Sequence, residues 1–198
     1  MENLTPPRAL MAEMIRRYEI LGFDCSILEA QKLAWFLSGA ARRFGVPDPV
    51  AGDFAADRYG PYSDRVRHLL DSLDGSYLTC ERRMADARTF DPIRFRHDRR
   101  DRLGVYLTSP EAAPYRPALD HASDLIDGFQ SPHGLELLAT VDWLHGEADT
   151  PLDVDAMLGA IAAWPGPPGS ADRKARIFTR HHVTVAVEHL RAVGASPS

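Results

Sequence analysis

The chain has 198 residues, with 23 Lys and Arg against 28 Asp and Glu and a formal net charge of −5. That length suits one domain with a sizeable core, and that charge argues against a surface that grips a phosphate backbone over its whole extent. The two cysteines form no C-x-x-C pair, no apolar run reaches the roughly 18 residues of a membrane span, and no basic-then-apolar signal opens the chain, so a cytoplasmic protein with reduced thiols is expected.

In chain order, Thr5 and Pro6 open a first helix whose apolar stripe runs through Leu10, Met11, Met14, Ile15, Tyr18 and Leu21. Ser26 and Glu29 form a capping box for a second helix that turns Ile27, Ala30, Leu33, Ala34 and Leu37 inward. A loop over Val46–Gly52 and an extended piece over Phe54–Tyr59 lead to the Gly60-Pro61 break. A third helix then carries Val66, Leu69, Leu70 and Leu73. Tyr77-Leu78, Ile93–Phe95 and Val105–Leu107 are short β candidates, with Pro92 suited to an edge. Pro117–Phe129, a run from Ser131-Pro132 through Leu144, Val154–Trp164, a short stretch after Ser170 and a last segment to Val193 read as helices. The expected fold class is mainly α, a compact helical domain with a small antiparallel β element or wing. It forms a single domain over 1–198, with a possible sub-division near 108–116.

Charge is uneven along this frame. Arg82–Arg102 holds eight arginines against four aspartates, a local +4, whereas Glu111–Ala160 holds ten acids and one strong base, a local −9. Separate faces with different electrostatic partners follow. Known chemical signatures are missing: there is no G-x-S-x-G, P-loop, G-x-G-x-x-G or H-E-x-x-H. His181 and His182 are adjacent, about 100° apart on a helix, which does not bring both to one ion. No catalytic residue, metal or cofactor is expected.

Two stretches, "LEAQKLAWFLSGAARRFG" (Leu28–Gly45) and "FAADRYGPYSDRVRHLLDSLDGSYL" (Phe54–Leu78), resemble the C-terminal region of the DarG antitoxin family of DarT–DarG toxin–antitoxin systems. The later "RKARIFT" (Arg173–Thr179) is similar to that family's charged element, and the arrangement appears more loosely in Panacea-type antitoxin domains. The resemblance implies an antitoxin domain that neutralises a DNA ADP-ribosyltransferase, a DarT-like toxin, by direct protein–protein binding. The family's macrodomain and its glycine-rich ADP-ribose loop find no match here, so no ADP-ribosyl glycohydrolase activity is expected.

The acidic segment suggests that the domain mimics the single-stranded DNA of the toxin. Tyr59, Tyr62, Asp64, Asp120, Asp124 and Asp127 are the expected toxin-binding residues, the last three sharing one helix face at i, i+4 and i+7. Direct nucleic-acid binding and membrane association are not expected. The alternative is a winged-helix-like DNA-binding regulator using Arg94, Arg96, Arg99, Arg100 and Arg102.

Overall fold

The computed structural model of the chain describes residues 4–194. Helix α1 (Pro6–Ile20) starts on a proline that needs no amide partner, and its Thr5 N-cap makes no side-chain hydrogen bond. Helix α2 (Ile27–Arg43) begins at the expected capping box, where the Ser26 amide donates to the Glu29 carboxylate at 2.8 Å. Every residue of α2 from Ile27 to Ala41 is buried, including Glu29, Gln31, Lys32 and Ser38. A helix covered on all sides is the centre of a fold rather than its surface. Around α2 pack α1, α3 (Asp64–Leu73), α5 (Arg116–Leu125) and α6 (Pro132–Glu147).

The β content is two small antiparallel sheets. Strands β1 (Cys25–Ser26), β5 (Pro92–Phe95) and β4 (Leu78–Cys80) lie in that order, with Cys25 opposite Ile93 and Leu78 opposite Phe95. Pro92 therefore opens a central strand instead of lying on an edge, and the first residue of a strand tolerates its missing donor. Strands β2 (Ala55–Asp57) and β3 (Gly60–Tyr62) form a hairpin around Arg58 and Tyr59, with Asp57 opposite Gly60.

The expected strand at Val105–Leu107 is instead the end of helix α4 (Arg100–Leu107). Leu103 is buried while Tyr106 and Leu107 pack against the core, a spacing of i, i+3 and i+4 that only a helix presents to one side. Val105, on the outside, is 74% exposed. Three apolar residues are too short a run to distinguish the two periods. The expected small antiparallel β element is therefore built from β1, β5 and β4 without that segment. Arg94 and Arg96 pair with Asp24 and Asp98 at 3.4 and 2.9 Å, while Arg99 reaches Asp98 at 3.6 Å.

Helix α7 (Val154–Ala162) is capped by Asp153, whose carboxylate accepts from the Asp155 and Ala156 amides. Helices α8 (Ser170–Ile177) and α9 (Arg180–Val193) complete the chain. The buried residues from Ala9 to Leu190 form one continuous cluster, and no helix among the described residues is long and apolar enough to cross a membrane. Leu33 is fully buried at the middle of α2. Leu33→Ala should lower unfolding free energy by about 2–5 kcal/mol, the usual loss for a truncated core leucine, measured by denaturant titration.

Candidate functional site

The three sequence blocks that carry the resemblance meet in space. From α2, Gln31 donates through Nε2 to the Ser63 carbonyl at 3.0 Å and accepts from the Ser63 amide at 2.9 Å. The next residue, Lys32, donates through Nζ to the Pro61 carbonyl at 2.9 Å. Two adjacent side chains of a buried helix thus hold the Gly60–Ser63 backbone by three hydrogen bonds. Gly60 has φ +105°, and an added Cβ would sit 3.3 Å from Lys32 Cε and 3.4 Å from Thr140 Oγ1. The positive φ favours glycine there, and the close approach leaves little room for a side chain.

From the other end of the chain, α8 brings Arg173 and Lys174 to Glu136 of α6. Arg173 makes a bidentate pair with Glu136 at 2.5 and 3.0 Å. Lys174 Nζ donates to the same carboxylate at 2.9 Å and to Thr140 Oγ1 at 3.1 Å. Lys174 is fully buried, its ammonium 4.9 Å from the Trp164 ring and 5.4 Å from Phe178. Burial works to raise the Glu136 pKa, but the bonds from Arg173 and Lys174 hold it below the ordinary value. Burial lowers the Lys174 pKa, with Glu136 opposing it. The Trp164 indole donates to the Asp57 carbonyl at 2.9 Å, tying this cluster to the hairpin.

Between the two groups lies Tyr59. The Arg173 guanidinium sits 4.8 Å from its ring centroid, Arg58 sits 5.8 Å away, and Phe90 meets it edge-on at 5.4 Å. Beneath it opens a cavity of about 330 Å³ whose lining includes Gln31, Lys32, Asp57, Tyr59 and Tyr62. Lys32 has its pKa lowered to about 7, first by burial and next by the charge of Lys174. The site therefore combines cationic and aromatic groups with an amine that changes charge near neutrality.

Of the expected residues, Tyr59 and Tyr62 both line this cavity, and neither is fully buried. Asp64 occupies the first turn of α3, where the helix dipole favours it, and its charge joins burial in raising the Tyr62 pKa. The acidic trio does not share a helix face, because α5 stops at Leu125. Asp120 accepts from Arg17 at 2.8 Å and Asp124 is exposed, whereas Asp127 lies past the helix end and accepts from Gln130 at 2.9 Å. His182 serves as a cap, accepting from the Thr179 amide at 3.3 Å. Among the described residues no group of three or more His, Cys, Asp and Glu is placed to hold a metal. Gln31, Lys32, Glu136, Arg173 and Lys174 were not singled out from sequence. Four of them lie inside the quoted blocks, and a buried-looking Gln-Lys pair in an apolar helix was the available signal.

No family model matches the chain. The chain is 33% identical over 195 residues to a DNA ADP-ribosyl glycohydrolase of Thermus aquaticus, a match that covers 98% of this chain and 48% of that protein. It is 32% identical over 202 residues to proteins of the same name from Mycobacterium bovis and Mycobacterium tuberculosis, covering 95% of this chain and 53% of each. The chain spans about half the length of the curated relatives it matches.

These likenesses overturn the functional expectation drawn from sequence. The expected toxin-binding DarG domain, its role as a catalytically inert antitoxin and the rival DNA-binding regulator all conflict with relatives named for an enzyme. Short signatures such as G-x-S-x-G report only sites compressed into a few residues. A cavity built by residues far apart in the chain carries no such signature, so a search for them could not speak to enzymatic function.

The buried amine has a consequence for stability. The Lys32 pKa is lower in the folded chain than the roughly 10.4 of a free lysine, so the folded state binds fewer protons between about 7 and the free value. Stability should therefore rise as pH increases from about 7 towards 10, and the penalty should be fully present below about 7. Denaturant midpoints across that range should show the slope, and Lys32→Met should flatten it. An unchanged slope in Lys32→Met would assign the dependence to another group.

Proposed function

We propose that this chain works as part of a DNA ADP-ribosyl glycohydrolase, with the Tyr59 cavity holding the ADP-ribosyl portion of the substrate. What carries the reading is the likeness to proteins of that name over 95–98% of the chain. The geometry supports it in kind. An ADP-ribosyl group presents a planar base, hydroxylated sugars and two phosphates. The cavity offers a tyrosine ring, the cations Arg58 and Lys32, and a volume of about 330 Å³ that fits one end of such a group.

Removal of ADP-ribose from a base breaks the bond to the anomeric carbon of the ribose. Positive charge develops on that sugar, water adds, and the departing base takes a proton. Two titratable groups of the cavity suit these demands. Asp57 offers a carboxylate to stabilise the sugar charge or to receive a proton from water. Lys32, with a pKa of about 7, gives or takes a proton near neutral pH.

Isothermal calorimetry with ADP-ribose, and chromatographic measurement of ADP-ribose released from an ADP-ribosylated oligonucleotide, test the reading. The chain should bind ADP-ribose, and Tyr59→Ala should weaken that binding by about tenfold, the scale of a lost ring contact with a base. A chain that neither binds ADP-ribose nor acts on the modified oligonucleotide would overturn the proposal.

A further inference from the structure

The ring of Phe90 is 61% exposed, yet the loop that carries it is held at many points. Arg67 of α3 donates to the carbonyls of Met84, Ala85 and Ala87 at 2.6, 3.0 and 2.7 Å. The Leu28 amide at the start of α2 donates to the Thr89 carbonyl at 3.0 Å. The Arg88 amide donates to the Asp91 carboxylate at 2.9 Å. A large apolar ring left in water on a braced loop is poised for contact, since a merely tolerated side chain needs no such support.

The ring is also braced from behind. Glu136 clamps Arg173, Arg173 lies over Tyr59, and Tyr59 meets Phe90 edge-on, so the chain of contacts runs from a buried carboxylate to an exposed aromatic. Arg58 and Arg88, both exposed, neighbour the two rings in sequence. On its other side Phe90 borders a second cavity, of about 320 Å³, that includes Asp24 and Glu29.

We propose that Phe90, supported by Tyr59 and Arg173, is a stacking platform for one unpaired base of a nucleic-acid strand, with Arg58 and Arg88 contacting its phosphates. A lone exposed ring stacks on a base only when that base is not paired within a duplex, so the strand is single. Sequence preference is weak, because every base offers a π face. The inference rests on the glycohydrolase reading for its biological substrate, and it deepens that reading by naming where the DNA strand lies relative to the Tyr59 cavity.

Fluorescence anisotropy with a labelled, unmodified oligothymidylate of about ten nucleotides separates the two ideas, because that probe carries no ADP-ribose. The chain should bind the single strand more tightly than a duplex of equal length. Phe90→Ala should weaken single-strand binding by about tenfold, and Phe90→Tyr should restore it. Thermal unfolding should be unchanged in both variants, since the ring is exposed. Phe90→Ala binding within twofold of the parent chain, or no single-strand binding at all, would overturn the platform. If ADP-ribose still binds, that failure leaves the glycohydrolase reading standing. Oligothymidylate binding that depends on Phe90 in a chain that ignores ADP-ribose would support the platform and sink the cavity assignment.

Discussion

The rest of the site depends on one constraint, the burial of the Lys32 amine inside a helix that has no solvent-facing side. A lysine ammonium removed from water must find acceptors or give up its proton. Here it takes the Pro61 carbonyl and shifts its pKa to about 7. Gln31 beside it pairs with both backbone groups of Ser63. These bonds fix the hairpin β2–β3 against α2, and the hairpin turn carries Tyr59. The Trp164 bond to the Asp57 carbonyl holds the same hairpin from its other strand.

The second support comes from a buried ion cluster. Glu136 receives three hydrogen bonds from Arg173 and Lys174, so two cations compensate its charge. Such clusters contribute little net stability over a well-packed apolar substitute, yet removing Glu136 would leave the buried Lys174 amine without its carboxylate, a loss on the scale of roughly 3–5 kcal/mol. Their value here is positional. The carboxylate fixes both terminal nitrogens of Arg173, and this holds the guanidinium 4.8 Å from the Tyr59 ring centroid. The charge of Lys174 reaches Lys32 and joins burial in lowering its pKa to about 7.

The acidic second half shows why charge counting along a sequence misleads. Its carboxylates look like one face when only their spacing is known. In the fold they serve different masters: Asp120 pairs with Arg17, 103 residues away, while Asp142 accepts the Trp35 indole at 2.8 Å, Asp153 caps α7 and Glu136 lies in the core. Apart from the local Asp153 cap, each assignment depends on which element arrives opposite, and that is information no local window contains.

What the sequence by itself determined was the local chemistry of the backbone. The Ser26–Glu29 box, the Asp153 cap, the proline starts and the inward Leu33, Val66, Leu138 and Val187 all follow from neighbours within four residues. Short-range rules of capping and periodicity operate there. The same rules failed at Val105–Leu107, where three apolar residues fit either period and burial of Leu103, Tyr106 and Leu107 selected the helix. The motif blocks were legible too, but as words without a syntax. Only the tertiary structure decided that Lys32 meets Pro61 across 29 residues, and that Glu136 meets Arg173 across 37. It likewise brought Trp164 to Asp57 across 107 residues, since a site of this kind exists only where buried polar groups find distant partners.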